Sequence, residues 1–251
     1  MTHGDAREQA TDFARRLEEL LTGVLGASGT AYVKEPEGLR RRGGSVTYNI
    51  VQREGRGIVL TCDAEPVLTL SFAFYCSCAG DHAPLRVDKS SVMLSEAIEH
   101  MPLVRYDFIR MSHSQIPAAH INVYGSNDAA TRLMLACAGG QRSRTRRKDF
   151  LEKGAFPTFS SLHFPVGGDR LRPGIEDVLQ LAAYEFHIDV AEGWQAVLEG
   201  IRVRYRAEQV RALVREFPDL AFETLREQGI VDGTIPARPT RADSVDHLVK
   251  Y

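Results

Sequence analysis

Two stretches of the sequence hold residue types that can move protons and hold anions. In VRYDFIRMSHSQIPAAHINVYG, residues 104–125, apolar and polar side chains alternate. Val104, Tyr106 and Phe108 share one face of a strand with Arg105 and Asp107 on the other, and Ile121 and Val123 oppose His120, Asn122 and Tyr124 on the next. Pairing the two as an antiparallel hairpin with matched apolar faces sets Asp107 opposite either His120 or Asn122. Both registers bring the carboxylate near the imidazole. An aspartate accepting from one ring nitrogen would fix the tautomer and leave the other as a proton acceptor, with Arg105 beside them for an anionic group. An antiparallel sheet also commonly keeps one wet face, and these residue types are ordinary there.

The second stretch is SSLHFPVGGDRLRP, residues 160–173. Gly167 and Gly168 let the backbone turn and approach a ligand closely, while Arg170, Arg172 and the amides of a following helix favour an anion. His163 is a second proton-transfer candidate. Metal-free phosphodiester cleavage needs such a set: His120 as base oriented by Asp107, His163 as acid, and Arg105, Asn122, Gly167, Gly168, Arg170 and Arg172 around the phosphate. Between the two stretches QRSRTRRK, with Arg142, Arg144, Arg146, Arg147 and Lys148, has the charge to follow a nucleic-acid backbone, although such a run also makes an ordinary solvated loop. The nucleotide-binding glycine fingerprints are absent, and no metal-ligand spacing recommends a metal or cofactor.

The elements that must position these residues follow from periodicity. Phe13, Leu17, Leu20, Leu21 and Val24 predict an amphipathic helix over about 5–25. Period-two alternation then predicts about six strands up to Gly125, beginning with a hairpin of Val46–Ile50 and GIVLTC, joined too briefly for parallel crossovers. SEAIEHM reads as one helical turn. After Gly125 the pattern is helical: Ser126 can cap a first helix, QRSRTRRKDFLEKGAFPTF reads as irregular, and Pro173 suits position N1 of a helix to about His187. Asp189 and Glu192 read as an acidic capping box for a long helix carrying Trp194, Val197, Leu198, Ile201 and Tyr205, and a last helix begins near Pro218. The expected class is α+β, an antiparallel sheet preceded by a helix and followed by a helical half. Residues 1–125 and 126–230 form one continuous domain, with 231–251 a loosely ordered tail.

Composition excludes several classes. With 43% hydrophobic and 25% charged residues over 251 positions the chain can bury a core, and a net charge of −2 argues against a uniformly basic nucleic-acid coat. Lysine stands at only five positions (34, 89, 148, 153 and 250), so 26 of the 31 basic residues are arginine, the side chain shaped for bidentate phosphate contact and the bias of a GC-rich genome. Cys76 and Cys78 continue an alternating apolar strand and read as reduced core thiols. Lacking a membrane-length apolar run or a basic patch followed by one, the chain is expected to be cytoplasmic, without a membrane partner.

The order R-Y-D-F, P-A-A-H-I-N-V and L-H-F-P-V-G-G-x-R-x-R-P-x-I-E-D over residues 103–180 resembles a bacterial, often actinobacterial, family, some of whose members look like toxin or phage-defence components. The resemblance implies no established activity. The family's second strand tends to read H-x-H, so Asn122 departs from it and His163 must supply any second imidazole. Three functions are open: a metal-independent ribonuclease-like protein of a toxin–antitoxin or defence type, a non-catalytic module binding a nucleotide or RNA, and an antitoxin-like partner protein acting through its C-terminal helices.

Overall fold

In the computed structural model the described residues are 5–40, 45–53, 55–79, 83–110, 116–126, 128–136, 141–162, 164–166 and 172–233. Helix α1 (Ala6–Leu25) leads into strands β1 (Glu37–Arg40), β2 (Val46–Val51), β3 (Ile58–Cys62), β4 (Glu65–Cys78), β5 (Arg86–Glu96), β6 (Pro102–Ile109) and β7 (Ala119–Val123). Then come α2 (Asp128–Ala136), α3 (Gln141–Lys153), β8 (Phe164–Pro165), α4 (Ile175–Phe186), α5 (Trp194–Glu216) and α6 (Pro218–Glu227). All strand pairs are antiparallel, in the order β1-β2-β4-β5-β6-β7-β8 with β3 beside β4. The class is α+β, as periodicity predicts; β1 and β8 are too short to show a period.

Four local expectations are corrected. Strands β2 and β3 do not pair with each other: Val46–Val51 lie along Ala73–Cys78 and Ile58–Cys62 along Glu65–Leu70, so both share one edge of the 14-residue β4. At the gap Gln52 Oε1 accepts from Phe72 N at 2.9 Å, so the unpaired backbone donor is satisfied by a side chain. Gln141–Lys153 is a helix, not irregular: it has no Gly or Pro, most of its residues (Gln, Arg, Lys, Leu, Glu) are good helix formers, and Lys148–Glu152 and Asp149–Lys153 pair at i,i+4. Residues 97–99 form a turn rather than a helical turn, held by Glu96 accepting from Ile98 N and Glu99 N. The starts of α4 and α5 also differ from expectation. Gly174 caps α4, with Asp177 Oδ2 accepting from its N–H at 3.0 Å, and Gly193 precedes α5.

Asp189 has another partner altogether. Its carboxylate accepts from Thr61 Oγ1 at 2.6 Å, Asp63 N at 3.0 Å and Ala64 N at 2.9 Å, so it braces the β3–β4 turn instead of capping α5. The Thr61 hydroxyl and these amides hold its carboxyl below the usual aspartate range. The turn itself is left-handed at both central residues, φ 52° at Asp63 and 66° at Ala64, the geometry two-residue hairpins favour and only glycine adopts without cost. Ala64→Gly is therefore expected to stabilise the fold by about 0.5–1 kcal/mol, relief of strain less the entropy of the freed residue. Urea unfolding checks it, and a lower midpoint would refute it.

One face of the sheet, carrying Tyr48, Ile50, Leu70, Phe72, Val92 and Leu94, forms a single core with α1, α4 and the first half of α5. Cys76 and Cys78 lie in that core, where burial pushes the Cys76 thiol up to about 12. Helices α1 and α5 run antiparallel: Gly23 lies against Val197, and Arg16 Nη1 bonds Glu208 Oε1 at 2.7 Å. At Gly23 a Cβ would stand 2.8 Å from Val197 Cγ1, so a missing side chain sets the closest approach. Toward Arg16 the helices are bridged by long side chains, and a cleft opens between them over the sheet. No helix among the described residues is long and apolar enough to cross a membrane.

Candidate functional site

Strand β6 pairs with β7 so that Asp107 lies opposite His120 and Arg105 opposite Asn122. Asp107 Oδ2 accepts from Arg105 Nε at 2.8 Å and Asn122 Nδ2 at 3.0 Å, and stands 3.6 Å from His120 Nε2, beyond hydrogen-bond reach. The other ring nitrogen, Nδ1, is 2.9 Å from the Pro117 carbonyl, which can only accept, so Nδ1 carries a proton. The tautomer is thus fixed by a backbone carbonyl rather than by Asp107. The face is also dry here, with His120 3% and Asn122 1% exposed. Asn122 Oδ1 is buried without a hydrogen-bond partner.

A cavity of about 740 Å³ occupies the cleft between α1, the second half of α5 and the apolar face of the sheet. Arg16 from α1, Arg110 from the end of β6, Arg172 before α4 and Arg204, Arg211 and Arg215 from α5 all line it. Steps of seven and four residues put the last three on one side of the helix. They are exposed, and no carboxylate lies within 4.0 Å of them among the described residues, whereas Arg16 is shared between Asp12 at 2.8 Å and Glu208. The floor is aromatic, from Phe74, Tyr106 and Phe108, and the Arg172 guanidinium stacks 3.8 Å from the Phe108 ring centre. Asp107 and His120 also contribute to the lining.

At the α4 end Glu176 lines the same cavity while only 4% exposed, and its Oε1 has no hydrogen-bond partner. Burial pushes its carboxyl up from the usual glutamate range and Asp177 adds to the rise, while its own backbone N–H, Arg202 and Arg206 pull the other way. A carboxyl raised in the fold stabilises it below the ordinary glutamate range, and that contribution is lost as pH rises through the raised value. Glu176→Met removes the unpaired group. It is expected to stabilise the fold by about 1–3 kcal/mol at pH 8 and by less at pH 4, read from urea unfolding at both. A gain that shrinks with rising pH would contradict the assignment.

Of the residues singled out from sequence, Arg105, Asp107, His120 and Asn122 come together on one sheet face. Arg172 lies on the opposite face, over Phe108. His163, Gly167, Gly168 and Arg170 lie outside the described residues, although Val166 and Arg172, which flank the glycine–arginine loop, both line the cavity. On α3, Arg144, Arg147 and Lys148 are exposed and Arg146 Nη2 donates to the Ser161 carbonyl at 2.7 Å, while the Arg142 side chain is outside the description. Among the described residues no group of three or more His, Cys, Asp or Glu is placed to hold a metal. Arg16, Arg204, Arg211, Arg215 and Glu176 escaped the sequence reading. The 204, 211, 215 spacing is the signal that points to three of them. Comparison of the chain with models of known protein families, with curated proteins and with solved structures finds no match, so the site is read from its geometry alone.

Proposed function

We propose that the protein is a binding module for a phosphate-bearing ligand of nucleotide type, held in the cleft between α1 and α5. The convergence of arginines from four separate parts of the chain on one aromatic-floored cavity carries this reading. A volume of about 740 Å³ is in the range of small-molecule sites. Guanidinium groups supply forked donors for phosphate oxygens, and aromatic rings a flat surface for a base. The ribonuclease-like reading asks His120 to take a proton from a substrate, but its ring is buried, and the second imidazole that reading needs, His163, lies outside the described residues. Binding without chemistry is therefore the reading the geometry supports better. The resemblance over residues 103–180 implies a bacterial defence or toxin setting for such a module.

The test is calorimetric titration with pyrophosphate, nucleoside diphosphates and a mixed single-stranded RNA, with the RNA afterwards analysed for cleavage. Saturable binding that weakens with added salt is expected, without cleavage. A folded protein that binds none of these would overturn the reading, and RNA cleavage lost in His120→Ala would return the catalytic one. A protein partner is a second reading. Val203, Val210 and Val214 form an exposed apolar stripe about a quarter turn round α5 from the arginines, and α6 adds Leu220 and Leu225.

A further inference from the structure

The α4 end of the cavity holds a chemical demand that phosphate binding does not meet. The Glu176 carboxylate folds back onto Gly174 so closely that an added Cβ there would lie 2.2 Å from Oε2, and Oε1 is left buried without a partner. The arginines of the neighbouring helix are engaged elsewhere. Arg202 donates to Asp177 Oδ1 at 3.1 Å and to Gln180, and Arg206 stands 3.9 Å from Asp177. A buried acceptor without a donor carries a desolvation cost that an N–H brought by a ligand, or a water, would relieve.

We propose that this end of the cavity is a base pocket in which Glu176 accepts the N1–H and 2-amino protons of a guanine ring while Arg211 and Arg215 hold its phosphates, so that the ligand is a guanine nucleotide. The inference rests on the reading of the cleft as a phosphate site. A carboxylate presents two parallel acceptors, and among the common bases guanine alone presents two adjacent N–H donors along one edge. Adenine and uracil alternate donor with acceptor, which would set a lone pair against one of the carboxylate oxygens. Flat partners for the ring are at hand. The Arg172 guanidinium, itself stacked on the buried Phe108 ring, offers one planar face, and Tyr106, half-buried and near enough to Asp177 to feel its charge, offers another.

Glu176 and the phosphate-holding arginines line one cavity at different levels of α5. The bonds of Arg202 and Arg206 to Asp177 fix the level at which α5 passes the start of α4. From Arg206 the helix rises roughly 7.5 Å to Arg211 and roughly 13.5 Å to Arg215 at 1.5 Å per residue. The rise is axial only: at about 100° per residue Arg211 and Arg215 point about 140° and about 180° round α5 from Arg206, so they would meet the phosphates from the rim of the cavity they line with Glu176. Gly174 has its part too, since any side chain there would drive the carboxylate out of its position.

Competition calorimetry on the full chain with GDP, IDP, ADP and pyrophosphate tests the proposal. GDP should bind about tenfold to a hundredfold more tightly than IDP, which lacks the 2-amino group, and than ADP. Glu176→Gln replaces one acceptor by a donor and should erase the preference for GDP over ADP. Gly174→Ala should weaken GDP by displacing the same carboxylate. Equal affinity of the unaltered protein for GDP, IDP and ADP alongside pyrophosphate binding would overturn the base pocket and leave the phosphate site standing. Failure of pyrophosphate and all three nucleotides would overturn both, and because these comparisons need no variant, a misfolded mutant cannot obscure them.

Discussion

Reversing three charges together, Arg204→Glu, Arg211→Glu and Arg215→Glu, is expected to weaken binding of pyrophosphate or a nucleoside diphosphate by at least about a hundredfold. A unit charge 4 Å from another is worth about 1 kcal/mol in water and about 4 kcal/mol at the effective dielectric of a protein surface, and reversal replaces attraction by repulsion. Even heavy solvent screening of each exposed guanidinium leaves three such changes with more than the roughly 2.8 kcal/mol that a hundredfold represents. Glu208 already stands on the same side of α5, where its charge is taken up by Arg16. Added carboxylates would have no such partner. The fold should tolerate the change, because the three side chains are exposed and hold no ion pair among the described residues. Titration beside a thermal melt therefore reads function apart from stability. An unchanged melt with unchanged affinity would remove the cleft as the site and turn attention to Arg144, Arg147 and Lys148 on α3.

Part of this arrangement is legible in the chain and part is not, for physical reasons. Strict alternation at 104–108 and 119–123 restricts the register by parity, so Asp107 had to face His120 or Asn122, and it faces His120. The same alternation locates β2 to β7. It does not say which strands pair, because the length of β4 lets two strands share one edge where the sequence order suggests a hairpin. Nor does it say what covers a face. Arg105, Asp107, His120 and Asn122 look like a wet surface in sequence, and the two β7 residues are buried. The cleft is harder still, since Arg16, Arg172 and Arg204 meet only when α1 and α5 are laid antiparallel. Glu176 reads as an ordinary acidic residue in the first turn of a helix, and its burial is a tertiary fact.

The largest effect on stability should come from Asp107→Ala. One carboxylate oxygen holds Arg105 and Asn122 together and faces the His120 ring, with the Asp107 side chain 10% exposed. Removing it strands the Asn122 amide, whose Oδ1 is already unpartnered, so both ends of a fully buried polar group would lack hydrogen bonds. It also leaves the Arg105 charge without its counterion in a half-buried position. Breaking a buried pair on one side typically costs about 3–5 kcal/mol, and the partial exposure of Arg105 argues for the lower end. Against a total of about 5–15 kcal/mol that is a large share of the fold's stability. Asp107→Asn keeps an acceptor for Asn122 and should cost about half as much. Urea unfolding of the two variants decides between roles for this residue. A loss near 3 kcal/mol for the alanine variant makes Asp107 the clasp of the β6–β7 hairpin. A loss under about 1 kcal/mol would mean that its bonds do little for the fold, and Asp107 would return to the role of a group kept for His120 and its chemistry.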